Sequence, residues 1–95
     1  MGQWLARVHV TLKPVVNDPQ GLAVLGGLRQ LGYGDVTSVR LGKYLEVGLS
    51  APDQPAAAAQ VDEMCRRLLA NPVIEDYRYT LEPVARPASE AARPD

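Results

Sequence analysis

From Trp4 to Lys13 the chain alternates, with Trp4, Ala6, Val8, Val10 and Leu12 on one side and Arg7, His9, Thr11 and Lys13 on the other. Alternation with a period of two marks a strand with one face buried, and Pro14, which has no N–H for a ladder, ends it. Asp18 followed by Pro19 predicts a helix start. The aspartate accepts from free N–H groups of the first turn, and proline fits where its missing donor costs nothing. The helix is expected to run to about Leu31, with Gly32 supplying the left-handed stop. Its apolar stripe is Val24, Leu25, Leu28 and Leu31, with Gly26 opposite the stripe and Gly27 at its edge.

Residues 36–49 (VTSVRLGKYLEVGL) offer two readings. Val39, Leu41, Leu45, Val47 and Leu49 keep one parity across Gly42, which a two-residue hairpin loop would break. One long strand bent near Gly42 is therefore expected, longer than its neighbours and free along half its length to pair with a second subunit. Pro55 then opens a helix in which Val61, Met64, Cys65, Leu68 and Leu69 form the apolar stripe. Asp62 with Arg66, and Glu63 with Arg67, are acid-first pairs on its solvated face. Asn71-Pro72 stops this helix, and the alternation returns from Glu75 to Glu82, placing Tyr77, Tyr79 and Leu81 together. These elements predict one domain over 1–83: a two-layer α+β fold, β-α-β-α-β, with an antiparallel sheet covered on one face by both helices. The alternative splits the middle strand into a hairpin, giving the four-stranded ferredoxin-like βαββαβ form. The last residues, 84–95, lack periodicity and are expected to be a disordered tail.

Composition narrows the possible functions. With 95 residues the chain has room for one modest core, so association is an economical source of stability. A homodimer or a dimer of dimers is expected, using the sheet edge or its uncovered face. The formal charge of −1 comes from interspersed residues of both signs, which argues against a nucleic-acid or membrane surface. The chain also has no Phe for the paired aromatics of an RNA-binding sheet. The apolar runs are too short to span a bilayer and the first ten residues enter a strand rather than a signal segment, so a cytoplasmic location is expected. One cysteine, Cys65, permits no internal disulfide, and no Cys/His spacing suits zinc.

Candidate chemistry is sparse. A phosphate-binding loop requires a lysine and a hydroxyl after its last glycine, whereas Gly27 is followed by Leu28 and Arg29. His9 lies on the outward strand face, and Cys65 sits at a core position with no cation to lower its pKa. Arg40 and Lys43, near the strand bend, read either as an anion site or as cations that block edge pairing. The first turn at Asp18-Pro19-Gln20-Gly21 could present N–H groups to a carboxylate. That leaves open a regulatory module binding an amino acid or nucleotide.

Four segments taken together carry a resemblance: DPQGLAV at 18–24, LRQLGY at 28–33, VRLGKYLEV at 39–47 and LLANPVIEDYRY at 68–79. Over about residues 5–83 the chain resembles the PurS family, the small subunit of phosphoribosylformylglycinamidine (FGAM) synthase. The resemblance implies a part in purine biosynthesis, where formylglycinamide ribonucleotide (FGAR), ATP and glutamine give FGAM, ADP, phosphate and glutamate. It implies a non-catalytic subunit with no active site or cofactor of its own. Its partners would be a PurL-type synthetase that uses ATP and magnesium and a PurQ-type glutaminase with a cysteine nucleophile. Carried onto matching positions, it implies interfaces around Asp18, Pro19, Gln20 and Gly21, around Arg40, Gly42 and Lys43, and around Asn71, Pro72, Glu75, Asp76 and Tyr77. Gly26 and Gly27 lie outside the shared motifs and read either as tolerated surface residues or as a place of close approach by another chain, which adds them to the interface candidates.

Overall fold

The computed structural model describes residues 1–85. Strand β1, Gly2–Leu12, is followed by helix α1, Pro19–Gln30, strand β2, Gly42–Ala51, helix α2, Gln54–Met64, and strand β3, Glu75–Val84. The sheet order is β2-β1-β3 with both pairings antiparallel, so β1 is the central strand. The fold is α+β. The chain does not reverse at residues 42–44. The strand arrangement matches the ferredoxin-like alternative with one strand unformed, at 36–41.

Alternation along β1 sends Ala6, Val8 and Val10 into the core, where they meet Val61, Cys65 and Ala70. Leu45, Val47 and Leu49 from β2 and Tyr77, Tyr79 and Leu81 from β3 close around this cluster, each partly buried. The fully buried large side chains are Val8, Val10, Val61 and Cys65. At about 1.5–3 kcal/mol for each buried valine, this is a thin core for the entropy it must offset.

Helix α2 starts as its sequence requires, with Asp53 accepting from the Ala56 N–H at 2.9 Å. Its exposed pairs form at Asp62–Arg66 and Glu63–Arg67. The stripe departs from expectation at Leu68, which is 83% exposed. Residues Cys65–Leu69 form a π-helical turn, closed by the Ala70 N–H donating to the Cys65 carbonyl at 3.0 Å. A π turn holds one more residue than an α turn, so the faces rotate, and Leu69 packs on the core where the spacing had placed Leu68 as well.

Helix α1 differs more. Asp18 caps it and Gly32, at φ +103°, stops it, both as read from the sequence. Its expected core stripe, however, does not reach the core: Val24 and Leu31 are exposed, Leu25 and Leu28 are half-buried, and no α1 side chain joins the cluster. Cover on the sheet therefore comes from α2 and its π turn rather than from both helices. Apolar spacing identifies a face that avoids water without saying which surface will cover it.

The long strand is also shorter than predicted. Its ladder begins at Gly42, opposite Thr11, while 36–41 takes no strand assignment. A side chain at 42 would meet the Val10 carbonyl at 2.5 Å, so glycine permits the close approach at which pairing starts. Side chains, rather than a ladder, fix the preceding segment. Of the expected tail, Val84 is the last residue of β3, and 86–95 lie outside the described residues.

Candidate functional site

Because β1 lies between two antiparallel neighbours, its end at Leu12 coincides with the beginnings of β2 and β3: Thr11 faces Gly42 and Leu12 faces Glu75. The loops before α1 and before β3 meet at the same end, where the Lys13 N–H donates to the Ile74 carbonyl at 2.8 Å. All three sequence-distant groups of interface candidates gather here. Asp18, Gln20, Gly42, Lys43 and Glu75 line one cleft of about 320 Å³ with Val10, Leu12 and Leu41.

Asp18 organises the cleft. It is buried, 4% exposed, and each carboxylate oxygen accepts one backbone N–H. Oδ1 takes Gly21 N at 2.9 Å, and Oδ2 takes Leu41 N at 2.8 Å. A helix cap thus doubles as a tie to a segment twenty-three residues on. These bonds, first Leu41 and then Gly21, hold the carboxyl below the usual carboxylate range, with the charge of Arg40 adding to them against the cost of burial. Arg40 donates to the carbonyls of Lys13, at 2.9 Å, and Val16, at 3.1 Å. Lys43 Nζ donates to the Leu69 carbonyl at 3.2 Å. Both cations thus brace backbone carbonyls.

On the β3 side, Glu75 Oε1 accepts from Asn71 N at 2.7 Å and Asn71 Oδ1 accepts from Val73 N at 3.0 Å. Pro72 lies in this exposed turn. Asp76 pairs with Lys13 at 2.7 Å. Tyr77 turns to the covered face, where its hydroxyl donates to Asp62 at 2.7 Å. Gly26 and Gly27 stand apart, further along α1, with open space where a side chain would extend.

Sequence reasoning missed the apolar residues beside this end. Val15 (92% exposed) and Val73 (78%) sit with Ile74 on the two loops that the Lys13–Ile74 bond joins. An isolated valine in a loop has no periodic signal by which to be found. Cys65 lies buried in the core. Burial, and then Asp62, push the Cys65 thiol up. His9 stacks at a tilt on Tyr44, 5.0 Å between ring centres, on the sheet face away from α2. Among the described residues no three His, Cys, Asp or Glu side chains group as metal ligands.

The chain is a small three-stranded α+β module whose polar end is tied together by its own side chains. The model of the PurS family, described as phosphoribosylformylglycinamidine (FGAM) synthase, matches residues 5–83, and the chain belongs to that family. It is 55% identical over 75 residues to the PurS subunit of FGAM synthase from Synechocystis sp., covering 79% of this chain and 75% of that one. It is 49% identical over 78 residues to its Bacillus subtilis counterpart, covering 82% and 92%. Among solved structures, B. subtilis PurS in a C2 crystal form superposes with a TM-score of 0.76 at 47% identity, over 83% of this chain and 98% of that chain. A structure of PurLQS from Thermotoga maritima contains a chain matched at TM-score 0.77 and 28% identity, over 88% of this chain and all of that one.

Proposed function

We propose that this chain is the non-catalytic small subunit of FGAM synthase, joining a PurL-type synthetase to a PurQ-type glutaminase in the conversion of FGAR, ATP and glutamine to FGAM, ADP, phosphate and glutamate. The observation that carries the reading is the family match across 5–83, supported by the PurS chain of the Thermotoga PurLQS structure. ATP and magnesium belong to the synthetase, and the ammonia released by the glutaminase passes between partners that this chain helps hold together. The compartment assigned is the cytoplasm, as befits a subunit of a biosynthetic complex. Separately, no helix among the described residues is long and apolar enough to cross a membrane.

The disposition of its side chains supports the reading of a chain without an active site of its own. A thiol nucleophile requires the thiolate, and Cys65 is buried with its pKa raised. Asp18, Arg40, Lys43, Glu75 and Asp76 are engaged in bonds within the chain. The interface is assigned to the Leu12 end: Asp18, Pro19, Gln20, Gly21, Arg40, Gly42, Lys43, Asn71, Pro72, Glu75, Asp76 and Tyr77. There, loops joined by these bonds and the exposed Val15 and Val73 offer a surface to a partner. Self-association as a dimer or tetramer is part of the same reading. The thin core, the exposed Leu22 and Val24 of α1 with Leu31 just after it, and the unladdered 36–41 segment support it. Sedimentation at micromolar concentration tests this, and a stable monomer alone would refute it.

Reconstitution tests the main reading. Purified synthetase and glutaminase are mixed with ADP and glutamine, complex formation is measured, and glutamine-dependent FGAM synthesis is then assayed with and without this chain. Synthesis is expected only with the chain present. Equal synthesis without it, at negligible free ammonia, would remove the assembly role. Saturable binding of an amino acid or nucleotide to the isolated chain would then favour a regulatory module.

A further inference from the structure

The π turn at Cys65–Leu69 puts two neighbouring leucines in opposite surroundings. Leu69 is half-buried and packs on the core, whereas Leu68 is 83% exposed. Had the α-helix continued, Leu68 would stand three residues from Cys65, four from Met64 and seven from Val61, on the stripe that faces the sheet. The extra residue of the turn, closed by the Ala70 N–H on the Cys65 carbonyl, carries it off that stripe. One leucine fills the place on the core, and a helix shorter by one residue would seat it there equally well. Single π turns within helices recur at functional sites. The product of this one is an exposed leucine at a defined position.

That position belongs to the Leu12 end. Lys43, opposite Val10 in the ladder, donates from Nζ to the Leu69 carbonyl at 3.2 Å and so ties the end of the π turn to the start of β2. The chain then enters the turn in which the Asn71 carbonyl accepts the N–H groups of Ile74 and Glu75, and the Lys13–Ile74 bond joins this turn to the loop after β1. Leu68 therefore shares this end with the exposed Val73 and Val15. The charged side chains around it are engaged within the chain. Arg66 pairs with Asp62 at 2.8 Å, Arg67 with Glu63 at 3.0 Å and Lys13 with Asp76 at 2.7 Å. Arg40 and Lys43 donate to carbonyls, and Glu75 accepts from Asn71 N. What this end offers beyond its own bonds is apolar side chain, and the complement of such a surface is an uncharged apolar recess rather than an acidic or basic one.

We infer that Leu68, presented by the π turn, is an anchor by which the Leu12 end docks on a catalytic subunit, its side chain entering an uncharged apolar recess of that partner. The inference rests on the reading of this chain as the subunit that joins synthetase and glutaminase, and it extends the interface from the segments around Asp18, Gly42 and Asn71 onto the end of α2, with which Lys43 makes it continuous. A leucine buried only in the complex adds to affinity without adding to the stability of the free chain. The number of residues in one helical turn thus decides whether Leu68 faces the core or the partner.

Titration of the full chain and its variants into each purified catalytic subunit, and into their mixture with ADP and glutamine, tests the inference through dissociation constants. Leu68→Ala should weaken the complex about tenfold or more, while the thermal unfolding midpoint and the sedimentation of the isolated chain stay as in the wild type. Leu68→Met keeps the apolar bulk and should recover most of the affinity. Wild-type binding with Leu68→Ala within about threefold of it would overturn this inference and leave the assembly role standing. Failure of the wild type to bind either subunit would overturn both. A changed sedimentation of isolated Leu68→Ala would assign the leucine to a contact between copies of this chain, and would overturn the inference as well.

Discussion

Three glycines of one helix should respond to the same substitution with opposite signs. At Gly26 and Gly27 a new Cβ meets nothing within 4 Å, so alanine only restricts the unfolded chain and improves helix propensity, worth up to about 1 kcal/mol at each site. For a domain of this size that corresponds to a rise in Tm of about 4–8 °C per site. At Gly21 the same methyl would lie 2.4 Å from the Val39 carbonyl and 2.6 Å from Asp18 Oδ2. Real Cβ contacts essentially never fall below 3.0 Å. Neither oxygen is free to retreat, because one belongs to backbone and the other is bonded to Leu41 N at 2.8 Å. Overpacking of this kind costs about 1–3 kcal/mol, enough to cancel the propensity gain and leave Gly21→Ala net destabilising by up to about 2 kcal/mol. Thermal melts of the three variants, paired with sizing, check this. Stabilisation by Gly21→Ala equal to that of the other two would refute the close approach. Loss of assembly in Gly26→Ala or Gly27→Ala, despite better propensity, would show that another chain occupies the open space.

Val61→Ala should destabilise by about 1–3 kcal/mol by opening a cavity in the core, while Leu68→Ala should stay within about 0.5 kcal/mol; urea titrations that give equal losses would refute the rotation imposed by the π turn. Cys65 should react with a thiol reagent at pH 8 only as fast as the protein unfolds, because burial shields the sulfur and raises its pKa; rapid labelling of the native chain would contradict the buried position. The depressed pKa of Asp18 means that its contribution is present above the ordinary carboxylate value of 3.8 and is lost as pH falls through the lower folded value. Protection of α1 against hydrogen exchange should therefore hold from neutral pH down to about pH 4 and fail below it; failure between pH 5 and 7 would assign the support of this helix start to another group.

Local chemistry made most of the fold legible. Asp18-Pro19 and Gly32 bound α1 because caps and left-handed stops act through groups a few residues apart. The alternation in β1 revealed the central strand because burial on one face is written at every second position. Two features escaped for different reasons. The π turn at 65–69 inserts a single residue into a helical repeat, and CRRLL reads equally well as α-helix. The off-core position of α1 depends on where the chain re-enters the sheet, at Gly42, and no property of the helix records that.

The candidate site shows the same limit in a more useful form. The segments around Asp18, Gly42 and Asn71 resemble the family separately, and nothing in their spacing says that they touch. Their convergence is a consequence of strand order. Once β1 is central and both neighbours run against it, the end of β1 and the starts of β2 and β3 must share one edge of the molecule. Lys13 and Gly42, the two ends of the segment that carries α1, are brought to that edge with them. Asp18 then falls where a cap can also reach Leu41, and so one short acid starts the helix and ties it to the far wall of the cleft. Glutamate would start a helix less well and, one methylene longer, would displace both acceptor oxygens. The residue that looks most conventional in the sequence thus holds the junction on which the geometry of the site depends.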